Sequence, residues 1–190
     1  MENRFDARDL ARIAVFAALI IVLGYVSIPV GAVPITGQTL GVMLAGAVLG
    51  WRRGPLAVLV VLALAAVGLP VLSGGSGGLG VFVGPTAGYL FGWIPGAAVI
   101  GLIANSGRGR LAWWRVAIGC VVGGILVIYA VGIPVLAAVA HLSLSQAIIS
   151  NFIFLPGDAA KVAVATLLTV ALYRAYPVAF GTRRPSVAQA

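Results

Sequence analysis

The sequence predicts an all-α polytopic membrane protein, a bundle of six transmembrane helices with both termini in the cytoplasm. Three observations predict it. The first is composition: of 190 residues, 62% are hydrophobic and 8% charged, with a mean hydropathy of +1.14. A soluble domain carries about 25% charged residues, because polar groups must cover its surface. Lipid is therefore the solvent for most of this chain. The second is charge placement. No Asp, Glu, Lys or Arg occurs in residues 13–51, 54–107 or 116–157. A transmembrane helix takes about 20 apolar residues, so each gap holds two spans. The third is that basic and uncharged connections alternate, as the cytoplasmic excess of Lys and Arg requires.

Breaks at Gly, Pro and charge clusters place the elements in order. Span 1 covers about 10–30, after Arg4, Arg8 and Arg12, and the connection that follows it has no charge. Span 2, about 35–50, is short, and Arg52 and Arg53 join it to span 3, about 54–72. The uncharged residues 73–80 lead to span 4, about 81–105. Arg108, Arg110 and Arg115 join it to span 5, about 112–140. Residues 141–146 hold no Lys or Arg, and span 6 runs from after Ser143 to near Arg174, with Arg183 and Arg184 beyond. Five or seven spans would put arginines on both sides. The continuously apolar runs lack the period-two alternation of a β-barrel. The chain reads as one membrane domain, residues 1–190, whose last residues, about 183–190, form a flexible polar tail.

Several function classes lose support. The net charge of +8 comes from cytoplasmic anchors rather than from a basic stripe with interleaved aromatics, so nucleic acid is not a partner. The single cysteine, Cys120, sits in an apolar run and reads as a small packing residue. Glu2, Asp6 and Asp9 precede an apolar run too long for a cleavable signal peptide. His141 has no cluster of Cys, His or carboxylate around it, so no metal site is expected. No nucleophile is marked and no ATPase motif is present, so an enzyme is not expected.

Asp158 and Lys161 are the two charges inside the membrane region. Ionisable residues there are costly and mark function by default. Three positions apart, they share a helix face, either as a structural ion pair or as a ligand site. Pro156 and Gly157 stand directly before them. Proline removes a helix donor, and irregular backbone at this depth needs a cavity or buried surroundings, which places a cavity at 154–161. The segment 73–80, Ser-Gly-Gly-Ser-Gly-Gly-Leu-Gly, is either a flexible linker or a lid whose backbone lies close over a ligand. Thr86 and Tyr89, just after it, offer hydroxyls, Tyr89 alternatively as an interfacial aromatic. Gln38 and Thr39 either line the same site or bond helix to helix. Ala14 and Ala18 give a small-xxx-small spacing suited to close helix approach, inside the fold or by a partner.

Taken together these residues resemble the BioY family, the biotin-specific substrate-binding S components of energy-coupling factor (ECF) transporters. The resemblance covers nearly the whole chain. It rests on Arg12-Ile-Ala-Val-Phe-Ala-Ala-Leu19, Val33-Pro-Ile-Thr-Gly-Gln-Thr-Leu-Gly-Val-Met-Leu-Ala-Gly46, Gly74-Gly-Ser-Gly-Gly-Leu-Gly80, Gly84-Pro-Thr-Ala-Gly-Tyr-Leu90 and Leu155-Pro-Gly-Asp158 with Lys161. Ala87 is a small departure, where the family pattern has glycine. The resemblance implies a six-helix bundle in the plasma membrane of a prokaryote and a biotin pocket near the outer face. It implies that the loop before span 4, with Gly78, Leu79 and Gly80, closes over the ligand, and that Thr86, Tyr89, Gln38, Thr39, Asp158 and Lys161 bind it. The Ala14/Ala18 surface would meet a membrane-embedded coupling subunit that works with separate ATP-binding-cassette ATPases. Biotin would be the ligand, with no cofactor. Which end of biotin meets Asp158 and Lys161 stays open, as do an S component for another vitamin and a stand-alone biotin facilitator.

Overall fold

A computed structural model describes residues 6–29, 33–107, 111–177 and 180. Arg4, Arg108, Arg110, Arg183 and Arg184, and the expected tail, lie outside the described residues. The rest is mostly helical: α1 (Ala7–Gly24), α2 (Gln38–Ala66), α3 (Ala87–Ala104), α4 (Trp113–Val121), α5 (Ile128–Val139), α6 (Leu144–Asn151) and α7 (Leu155–Ala175). Four helical runs are long and apolar enough to cross a membrane: 38–66, 87–104, 113–139 and 144–175. The apolar side chains on their outer faces, such as Leu126, Ile149 and Leu167, are exposed, as lipid contact requires.

Expected spans 2 and 3 fall within one helical run, α2, but the chain turns back inside it. Gly50 has φ 82° and ψ −179°, a left-handed backbone region that glycine enters without steric cost. In a straight helix Gly46 and Gly54 would lie about 12 Å apart at 1.5 Å per residue. Here a Cβ added to Gly54 would come within 2.9 Å of the Gly46 Cα. The two arms of α2 therefore fold against each other, with Trp51, Arg52 and Arg53 at the reversal. Asn105, after α3, donates to the Ala47 carbonyl at 3.2 Å and holds this turn to its neighbour.

Span 1 differs in its end. α1 stops at Gly24, and Ser27–Ile28 pairs with Ile35–Thr36 as a two-residue antiparallel hairpin, Ser27 opposite Thr36 and Ile28 opposite Ile35. This is strand pairing that an all-α reading lacks. Ile13, Ala17 and Ile20 of α1 are buried and pack on α2, which leaves Ala14 and Ala18 exposed. α3 sits centrally, against α2 on one side and α4 and α5 on the other. Between α4 and α5 the helix widens to π geometry at Val122–Val127, and α7 packs on α2 and α4.

At the arginine end, the buried Asp9 meets Arg53 Nη2 at 2.7 Å and Arg12 Nη1 at 3.9 Å. This ties α1 to the second arm of α2. Removing Arg53 leaves a buried carboxylate short of its nearest donor. We expect Arg53→Ala to destabilise the fold by about 1–3 kcal/mol, read as a lower melting temperature in detergent, with ligand affinity unchanged.

Candidate ligand-binding site

The end of the bundle away from Arg52 and Arg53 holds a cavity of about 240 Å³. It is walled by the hairpin strand Ile35–Thr36, the start of α2, residues of the 67–86 loop, the start of α3, and α5 and α7. Pro156 occupies the first turn of α7, where its missing N–H costs nothing. A 3₁₀ turn, Phe152–Phe154, connects α6 to it. The helix restarts there and presents Asp158 and Lys161 to the cavity from its first two turns.

These two side chains are the charged members of the lining. Lys161 Nζ donates to Asp158 Oδ1 at 3.0 Å and to Thr39 Oγ1 at 2.9 Å. Tyr129 OH donates to Asp158 Oδ2 at 2.6 Å. Asp158 is 5% exposed, so its charge depends on these partners rather than on water. A carboxylate has about four acceptor sites and an ammonium three donors. Two acceptor sites on Asp158 and one N–H on Lys161 thus remain for a ligand.

The residues expected at the site divide. Asp158, Lys161, Thr39, Gln38, Thr86 and Tyr89 all line the cavity. Gln38 is almost fully buried and also spends its Nε2 on the Val71 carbonyl at 3.3 Å, so it anchors the 67–86 loop as well as lining the space. Thr86 stands at the start of α3. Gly78, Leu79 and Gly80 do not line the cavity, and Leu79 is 72% exposed. The members of the 67–86 loop that do are Leu72, Ser73, Ser76, Val81 and Thr86.

Two contributors carry no clear sequence signal. Tyr129 is one tyrosine in an apolar run, and its register is set by the π turn just before it. Asn151, buried at the end of α6, accepts from Tyr89 OH at 2.7 Å and donates to the Ala147 carbonyl at 2.8 Å. The Tyr89 and Tyr129 rings meet edge to face at 6.2 Å and so join the two hydrogen-bonded sets. A small amphipathic molecule with both donors and an acceptor at one end suits this chamber.

Known proteins resemble the chain over nearly its whole length. A model of the BioY family matches residues 1–178. A protein of Rhodobacter capsulatus named biotin transporter BioY is 52% identical over 180 residues, covering 88% of this chain and 95% of its own length. One of the same name from Rhizobium etli is 49% identical over 181 residues, covering 91% and 97%. The crystal structure of an S-component for biotin from an ECF-type ABC transporter superposes with a TM-score of 0.84 at 35% identity, covering 92% of this chain and 95% of that one. Matched in family pattern, in full-length relatives and in fold, this chain belongs to the BioY family.

Proposed function

We propose that this chain is the biotin-binding subunit of a vitamin uptake transporter, capturing biotin at the outer face of a prokaryotic plasma membrane. Delivery across the membrane is driven by a membrane-embedded coupling subunit and separate ATPases, so the chain is a transport subunit and not an enzyme. The relatives named biotin transporter and the biotin S-component support the ligand. The reversal at Gly50 divides α2 into two arms. With α1, α3 and the runs 113–139 and 144–175, this supports six crossings in one membrane domain with both termini cytoplasmic.

The observation that carries the reading is the Asp158–Lys161 pair in the cavity wall. Its remaining valences, two acceptor sites and one donor, complement a ureido group, which offers two N–H donors and one carbonyl oxygen. The ureido end therefore meets the pair, one N–H donating to Asp158 and the carbonyl oxygen accepting from Lys161. A carboxylate placed there would bring only acceptors beside an existing carboxylate. The apolar ring system then lies among Leu72, Leu90, Trp93 and Ile128, which line the same space.

The test is uptake of labelled biotin by cells carrying the chain with and without a coupling module. Accumulation that requires both supports the proposal; equal accumulation without the module points to a stand-alone facilitator. Tyr129→Phe removes the 2.6 Å bond to Asp158 and is expected to weaken biotin binding about tenfold, read by equilibrium dialysis. The exposed Ala14 and Ala18 present a surface on which another helix can pack closely. Ala14→Leu/Ala18→Leu is expected to reduce co-purification with the coupling subunit about tenfold or more while biotin binding persists. Unchanged association would mean that the coupling subunit packs elsewhere.

A further inference from the structure

The charge inventory at the ligand end of the molecule is short. Residues 54–107 and 116–157 contain no Lys or Arg, so the 67–86 loop and the connection into α6 supply no ammonium or guanidinium, and the one imidazole there, His141, is not in the cavity lining. The lining of the cavity carries two charges, Asp158 and Lys161, and these neutralise each other at 3.0 Å. The polar groups toward the rim are hydroxyls: Thr36, Ser73, Ser76 and Thr86. Ser73 Oγ lies 2.7 Å from Ser27 Oγ, and Ser76 Oγ donates to the Ser73 carbonyl at 2.9 Å. Ser76 is exposed whereas Asp158 is buried, so the polar wall runs from an enclosed ion pair to an open edge.

A ligand seated with its ureido group on the ion pair directs its acid-bearing tail toward this edge. A carboxylate there finds hydroxyls, water and the start of α3, but no ammonium or guanidinium. The helix start favours an anion only a few-fold. Hydroxyls donate and accept equally well, so they serve a carboxamide as readily as a carboxylate. The site thus reads the ureido end strictly and the acid end loosely.

We propose that this chain also binds biotin whose carboxyl is capped as a carboxamide or a simple ester, with affinity within about tenfold of biotin itself. The inference rests on the reading that biotin is the ligand with its ureido group on Asp158 and Lys161. The experiment is competition against labelled biotin on the purified chain by biotin, biotinamide and biotin methyl ester. Inhibition constants for both capped forms within about tenfold of biotin support the proposal, since losing a charge-assisted hydrogen bond to the carboxylate would cost them about tenfold or more. If labelled biotin binds and either capped form is more than tenfold weaker, the acid end is read by charge and the proposal is overturned, while the biotin reading stands. If labelled biotin does not bind, both are overturned.

Discussion

Asp158→Asn is expected to weaken biotin binding about a hundredfold or more. The variant keeps the shape of the side chain but replaces one carboxylate oxygen with an amide N–H₂. That group faces ligand N–H donors and the Lys161 ammonium, which cannot accept from it. Hydrogen bonds to a charged group contribute about 1.5–3 kcal/mol each. Losing one and weakening another amounts to about 3 kcal/mol, or about two powers of ten. Isothermal titration with the purified variant measures it, and its melting temperature without ligand separates loss of the site from loss of the fold. Parent-like affinity would sink the assignment of Asp158.

The second large effect is at Lys161. Lys161→Gln leaves the Asp158 carboxylate buried, with the Tyr129 hydroxyl still donating to it. Removing one member of a buried pair costs about 3–5 kcal/mol, because the other charge stays uncompensated. The variant is therefore expected to lose both biotin affinity, about a hundredfold, and stability when empty. The double variant Asp158→Asn/Lys161→Gln removes both charges and is expected to recover much of the stability and none of the affinity. Recovery of binding in the double variant would mean that the pair is structural and that the ligand is held elsewhere.

Parts of this arrangement were visible in the sequence because they break a strong rule. Asp158 and Lys161 are ionisable residues in an otherwise uncharged apolar stretch, and Pro156 beside them marks where a helix must restart. Among the described residues, Arg52 and Arg53 sit at the reversal in α2, where the sequence places a basic connection. The reversal itself is tighter than two separate spans suggest, because Gly50 adopts a backbone conformation that needs almost no connecting residues. Tyr129 stayed hidden. Nothing local distinguishes it from a lipid-facing or packing tyrosine, since its direction is set by the π turn at Val122–Val127 and by Asp158 on another helix. Asn151 is likewise a polar residue whose partner, Tyr89, is 62 positions away. The 73–80 segment was recognisable as unusual, but its glycines could not show which positions face inward. Three of them, Gly74, Gly75 and Gly78, have positive φ, and the resulting path turns Ser73 and Ser76 to the cavity and Leu79 outward.

The division of labour that follows is spatial. α1 offers Ala14 and Ala18 outward on one face while its other face packs on α2. The cavity lies beside the start of α2, away from the reversal where Asp9 meets Arg53. A partner that grips α1 thus acts on a helix joined directly to the hairpin Ser27–Ile28/Ile35–Thr36, and Ile35 and Thr36 of that hairpin line the chamber.

The deciding measurement is equilibrium binding of labelled biotin to the purified chain, without any partner subunit. Saturable binding of one biotin per chain is expected, undiminished by a large excess of vitamins that lack a ureido group. Absence of saturable binding, or displacement by such vitamins as effectively as by unlabelled biotin, would contradict it.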